Sequence, residues 1–132
     1  MAALDRPVIK PRPVYLNLFA IRMPLAAIVS ILHRASGALL FLVGIPLALC
    51  TVQRALASPE AWAQMRTALD APFAKIVAVA LAWGYIHHLL VGIRHLLMDA
   101  HVGVELPEAR RSAALAMVLA IVLTLAVAVR LW

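Results

Sequence analysis

The chain is poor in most of what a soluble enzyme uses. It has a single cysteine, Cys50, inside an apolar run. That excludes an internal disulfide and a cysteine-built zinc or iron–sulfur site. Only 14% of its residues are charged, and just 6 are acidic. Five glycines are scattered along the chain, so no glycine-rich phosphate loop can form. There is no His-Glu-x-x-His helix, no Cys-x-x-Cys pair, and no nucleophile spaced to meet a general base. Internal repeats and low-complexity tracts are absent as well.

What is present is apolar. Hydrophobic residues make up 65% of the 132 positions, against about 45–50% in a soluble domain. A mean hydropathy of +0.97 points to lipid as the solvent. Three spans of about 20 residues use most of the chain and leave little for a soluble catalytic domain. The expected architecture is therefore an all-α membrane protein of one domain, 1–132. An extended arm covers 1–22, and three transmembrane helices cover about 23–54, 72–99 and 111–132. Pro7, Pro11 and Pro13 keep the arm from helix, with a short amphipathic stretch at 15–22. The polar, proline-rich start does not fit a cleavable signal peptide, so the first span is expected to direct insertion. Pro46 should disturb that span. Ser58-Pro59-Glu60 reads as a capped start of a short surface helix.

The net charge of +6 could indicate nucleic acid, but at this hydropathy it is read as headgroup contact and orientation. Arg6, Lys10, Arg12, Arg22, Arg34, Arg94, Arg110 and Arg111 fall on the N-terminal side of the membrane. Arg54, Arg66, Lys75 and Arg130 fall on the other. The positive-inside rule then places the N-terminus in the cytoplasm.

An ionisable side chain inside a span is a functional candidate by default. Two clusters qualify. Ser30, His33, Arg34 and Gly37 stand at i, i+3, i+4 and i+7, one face of the first span. The plainer alternative is that Arg34 snorkels to headgroups and Ser30 bonds back to its own helix. In the second span His88, Gly92, His95 and Asp99 share a face. His88 lies roughly 16 Å from Asp99 along the axis at about 1.5 Å per residue, well inside the hydrocarbon. A histidine at that depth can ligate haem iron, relay protons or hydrogen-bond to another helix. Gly92, one turn from His88, leaves space for a large flat group or a close helix. His87 and His88 point about 100° apart, so both cannot face one iron; the face shared with Gly92 favours His88. By position alone Asp99 is a helix-end residue and His101 a surface loop residue.

These residues carry a resemblance. Arg12-Pro13-Val14, Leu18 and Ser30-Ile31-Leu32-His33-Arg34-Ala35-Ser36-Gly37 resemble the first signature of the succinate dehydrogenase cytochrome b subunit family. His88-Leu89-Leu90-Val91-Gly92-Ile93-Arg94-His95-Leu96-Leu97-Met98-Asp99 resembles the second. The match is detailed over about 12–111 and holds in the third span by character only. It implies half of a heterodimeric, haem-binding helical bundle: a membrane anchor of respiratory complex II, not a complete enzyme alone. The implied partners are a second anchor subunit, an iron–sulfur subunit, a flavoprotein and membrane lipid, with no nucleic acid. The implied cofactor is one haem b shared between the anchors, and ubiquinone is the bound substrate. Carried over by motif position, His88 would be the axial ligand of the haem iron, the other axial histidine coming from the second anchor. Ser30 and Arg34 would line the quinone site, His33 and Arg34 would lie near the haem propionates, and His95 and Asp99 would support the region. The implied location is a bacterial inner membrane. In one departure, His101 stands where the family usually has a small residue. Rival readings are a fumarate reductase anchor working with a quinol, a proton or ion transport subunit without haem, and a purely structural membrane adaptor.

Overall fold

The computed structural model describes residue 17 and residues 20–132, so the arm and most of the amphipathic stretch at 15–22 lie outside the described residues. Among the described residues every regular element is helical. They are α1 (Leu25–Leu39), α2 (Ile45–Ala57), α3 (Pro59–Leu69), α4 (Pro72–Asp99) and α5 (Leu106–Leu131). A π-helical turn over Leu40–Gly44 joins α1 to α2 into one apolar stretch. Three stretches are long and apolar enough to cross a membrane: Leu25–Ala57, Pro72–Asp99 and Leu106–Leu131. The 33 residues of the first extend about 50 Å at 1.5 Å per residue. That exceeds a hydrocarbon core of about 30 Å, so the span tilts or projects into the interface.

The disturbance expected at Pro46 takes the form of the π turn just before it. Proline has no N–H to give and its ring crowds the carbonyl of residue i−4, here Leu42, which lies within the turn. Widening the backbone there, with the Ile45 N–H reaching back to the Leu40 carbonyl, removes the clash without ending the helix. Ser58 caps α3, its hydroxyl accepting from the Ala61 N–H at 3.1 Å. Glu60 in the first turn is held below the usual carboxylate range by its own backbone N–H and then by the Ser58 hydroxyl.

α4 ends in a Schellman arrangement. The His101 N–H reaches the Met98 carbonyl and the Val102 N–H reaches Leu97, both at 2.9 Å. His101 itself takes the left-handed conformation, at φ 63°. A position that favours glycine is thus filled by the residue that departs from the family pattern. α5 begins at Leu106, with Pro107 and Glu108 in its first turn, so Arg110 and Arg111 belong to the helix and precede its apolar part.

α4 packs against both α1 and α5. The core is small: Val29, Val91, Ala113 and Ala116, flanked by Ala26, Leu90 and Met117. α5 buries Ala109, Ala113, Ala116, Ala120 and Thr124, a stripe of small side chains that lets two backbones approach where no hydrophobic force drives them together. Most large apolar side chains, such as Phe41, Leu49, Leu125 and Val129, face outward, as lipid-facing residues do.

Arg94 is not a headgroup cation, as the charge count supposes. It is buried, its Nε donating to Ser112 Oγ at 3.0 Å and an Nη to the Ala109 carbonyl at 3.1 Å. It ties α4 to the first turns of α5.

Candidate functional site

The site forms where α1 crosses α4, and the histidine spacing explains why. His33, on α1, and His88 and His95, on α4, come together as one group. The His33 and His88 rings stack in parallel, with centroids 4.1 Å apart and planes inclined by 6°. The His95 ring meets His33 edge-on at 5.1 Å. Gly37 makes the crossing possible: a Cβ there would lie 2.8 Å from His88 Cε1. Beside Gly92 the neighbouring helix comes close: a Cβ there would lie 3.5 Å from His33 Nε2.

His88 Nδ1 lies 3.0 Å from the backbone carbonyl of His33. A carbonyl only accepts, so Nδ1 is the donor, which in the neutral imidazole leaves the lone pair on Nε2. Nε2 makes no hydrogen bond among the described residues. Ser36 Oγ donates to that same carbonyl at 2.9 Å and lies 3.3 Å from His88 Nδ1, which walls the ring in. Sequence reasoning named Ser36 only as part of a motif. Its spacing of three from His33 was the signal that it reaches the same carbonyl.

The face predicted for α1 divides. His33 and Gly37 turn to α4, while Arg34 is exposed and Ser30 half-buried. Ser30 does not bond back to its helix, although Ser36, Thr51, Thr67, Ser112 and Thr124 all do. Arg34 meets no carboxylate or hydrogen-bond acceptor among the described residues. One hydroxyl and one guanidinium, a helical turn apart, thus remain free to hold a ligand. His95 joins the ring cluster; Asp99 is exposed at the end of α4 and makes no ion pair among the described residues.

His87 points elsewhere. It is fully buried, stacked on Trp83 at 5.2 Å, and neither ring nitrogen meets a hydrogen-bond partner of good geometry. His33 Nε2 is also buried without a partner. Such atoms cost about 1–3 kcal/mol each, which a ligand or water meeting them would recover.

No group of three potential metal ligands converges among the described residues, so a free ion is not what the cluster fits. A prosthetic group whose metal takes one imidazole from this chain fits better. His88 offers such a group a ring held through Nδ1, and Arg34, next to His33 in the chain, offers an exposed cation.

The family described as succinate dehydrogenase/fumarate reductase transmembrane subunit matches residues 9–127. The chain is 37% identical over 101 residues to the succinate dehydrogenase cytochrome b556 subunit of Paracoccus denitrificans, covering 76% of this chain and 77% of that one. It is 35% identical over 122 residues to the subunit of the same name from Coxiella burnetii, covering 92% and 97%.

Proposed function

Since the chain belongs to the succinate dehydrogenase/fumarate reductase transmembrane subunit family, we propose that it binds haem b and helps form the site where ubiquinone is reduced. It is a multi-pass membrane anchor, and the chemistry of succinate oxidation belongs to other subunits. The partners in this reading are a flavoprotein, an iron–sulfur subunit that would deliver electrons, and a second anchor that would supply another histidine to the haem. The membrane is the bacterial inner membrane. The N-terminus is cytoplasmic, because the cation excess on its side survives the removal of Arg94 from the count.

The observation that carries this reading is the His88 imidazole. Its Nδ1 is committed to the His33 carbonyl and its Nε2 is left to bind iron. A histidine ligand held through its other nitrogen is fixed in orientation and made more basic. Haem b, when bound, supplies a one-electron redox centre. Arg34, with His33 beside it, would hold the propionates. Ser30 and Arg34 would donate to a quinone oxygen, and the guanidinium would stabilise negative charge developing there. His95 and Asp99 border this region and would support it. In a fumarate reductase the same residues would serve a quinol with electrons moving the other way. Nothing in the family match favours the ion-transport or bare-adaptor readings.

Co-purification from native membranes, with haem content and quinone kinetics, tests the proposal. Arg34→Ala should keep the partner subunits and succinate oxidation with an artificial acceptor. Its quinone reduction should fall about 10²-fold or more, the scale of losing one donor to a developing oxyanion. Unchanged quinone kinetics in that variant would remove Arg34 from the site.

A further inference from the structure

At the opposite end of the bundle a second polar feature stands apart from the histidines. The end of α3, the start of α4 and the end of α5 enclose a cavity of about 410 Å³, lined by Trp62, Arg66, Asp70, Lys75, Arg130 and Leu131 among others. Three cations thus converge from three helices. Lys75 is paired with Asp70 at 3.1 Å, the one ion pair among the described residues. Arg66 and Arg130 meet no carboxylate among the described residues. The cavity carries a net positive charge at the level where the first span ends, the second begins and the third ends, which is a membrane–water interface. Trp62 sits there as interfacial tryptophans do.

A second cavity adjoins it. Leu69 and Ala78 line both. The second has a volume of about 520 Å³ and is bounded by Gly44, Thr51, Phe73, Val77 and Leu81. It runs into the apolar body between the first and second spans. A cationic cup at the interface opening onto an apolar groove matches a molecule with a phosphate head and a hydrocarbon tail. Free phosphate would have no use for the groove, and a zwitterionic lipid would leave the excess charge unmatched.

We infer that Arg66, Lys75 and Arg130 bind the phosphate of an anionic phospholipid from the leaflet opposite the histidine cluster, with an acyl chain in the groove between the first two spans. Cationic side chains hold a lipid phosphate chiefly by charge, and basic residues strengthen anionic-lipid binding by about fivefold each. The inference does not rest on the haem reading, because no residue of the histidine cluster takes part.

The test uses the complex purified from native membranes, delipidated in detergent, and titrated with mixed micelles containing cardiolipin or phosphatidylglycerol. Bound lipid is read by native mass spectrometry and stability by the thermal midpoint. Anionic lipid should bind and raise the midpoint; phosphatidylcholine and inorganic phosphate should do neither. In the R66Q/R130Q double variant anionic-lipid affinity should fall more than tenfold. R66K/R130K, which keeps the charge, and Arg54→Gln, on the same surface but outside the cavity, should retain most of it. Wild-type affinity in R66Q/R130Q, or equal binding of phosphatidylcholine, would overturn the inference. A midpoint shift reproduced by inorganic phosphate would make this a free-anion site and overturn the lipid assignment.

Discussion

His88 is held on three sides: by the stacked His33 ring, by the His33 carbonyl on Nδ1, and by the bare Cα of Gly37. These contacts predict a contrast between two glycines. Gly37→Ala would put a Cβ 2.8 Å from Cε1, so the imidazole must move and the bond to the His33 carbonyl must stretch. Haem affinity should drop about tenfold or more, the scale of losing the partner that orients a ligating histidine. Gly92→Ala makes only an ordinary 3.5 Å contact with His33 Nε2 and should leave haem content near wild type. Haem per complex in the two variants checks this, and equal loss in both would contradict the geometry. Much of this could be read from sequence. The depth of His88 follows from its distance to Asp99, and the motif with the face shared with Gly92 favours it over His87 as the candidate ligand. The roles of Ser36 and the His33 carbonyl do not follow from sequence, since they depend on how α1 is rotated against α4. A helix apolar on nearly all sides carries no stripe that fixes its rotation.

At the scale of elements, the bundle is held by small residues and one buried arginine. Arg94 ends in a hydroxyl and a backbone carbonyl and makes no ion pair among the described residues, so dipoles hold its charge there. Arg94→Ala removes two charge-assisted bonds that fix α5 against α4 and should cost about 1.5–3 kcal/mol. A lower thermal midpoint for the purified complex would show it; an unchanged midpoint would mean the clamp bears no load. Charge counting placed this arginine among the headgroup cations because burial is invisible in a list of signs. The loop after α4 gives the opposite case. His101 departs from the family pattern at a position where the backbone turns left-handed, as it does again at Gly103. His101→Gly should therefore stabilise the α4 end by about 1 kcal/mol, raising the midpoint by a few degrees, whereas the β-branched His101→Val should lower it. The small stripe of α5, from Ala109 to Thr124, explains why this helix looked featureless in sequence: alanine counts as apolar on every face, and only packing shows which face is used.

The whole molecule is an incomplete object. Its core is a few residues deep, its outer surface is apolar, and its two polar ends differ in character. Among the described residues one end gathers histidines, a free hydroxyl and an unpaired guanidinium. The other gathers arginines around a cavity. Three membrane helices were legible from hydropathy alone, because bilayer thickness dictates their length. The arrangement of the polar groups was legible only as far as each helix taken separately. In the proposed reading the chain works between partner subunits, and that reading turns on one nitrogen atom. The most direct test compares His88→Ala with His87→Ala in the complex purified from native membranes, by reduced-minus-oxidised absorption. The account predicts that wild type and His87→Ala show a b-type band, His87→Ala with reduced thermal stability, and that His88→Ala loses it while keeping its partner subunits. An undiminished band in His88→Ala, or a band lost in His87→Ala alone, would contradict it.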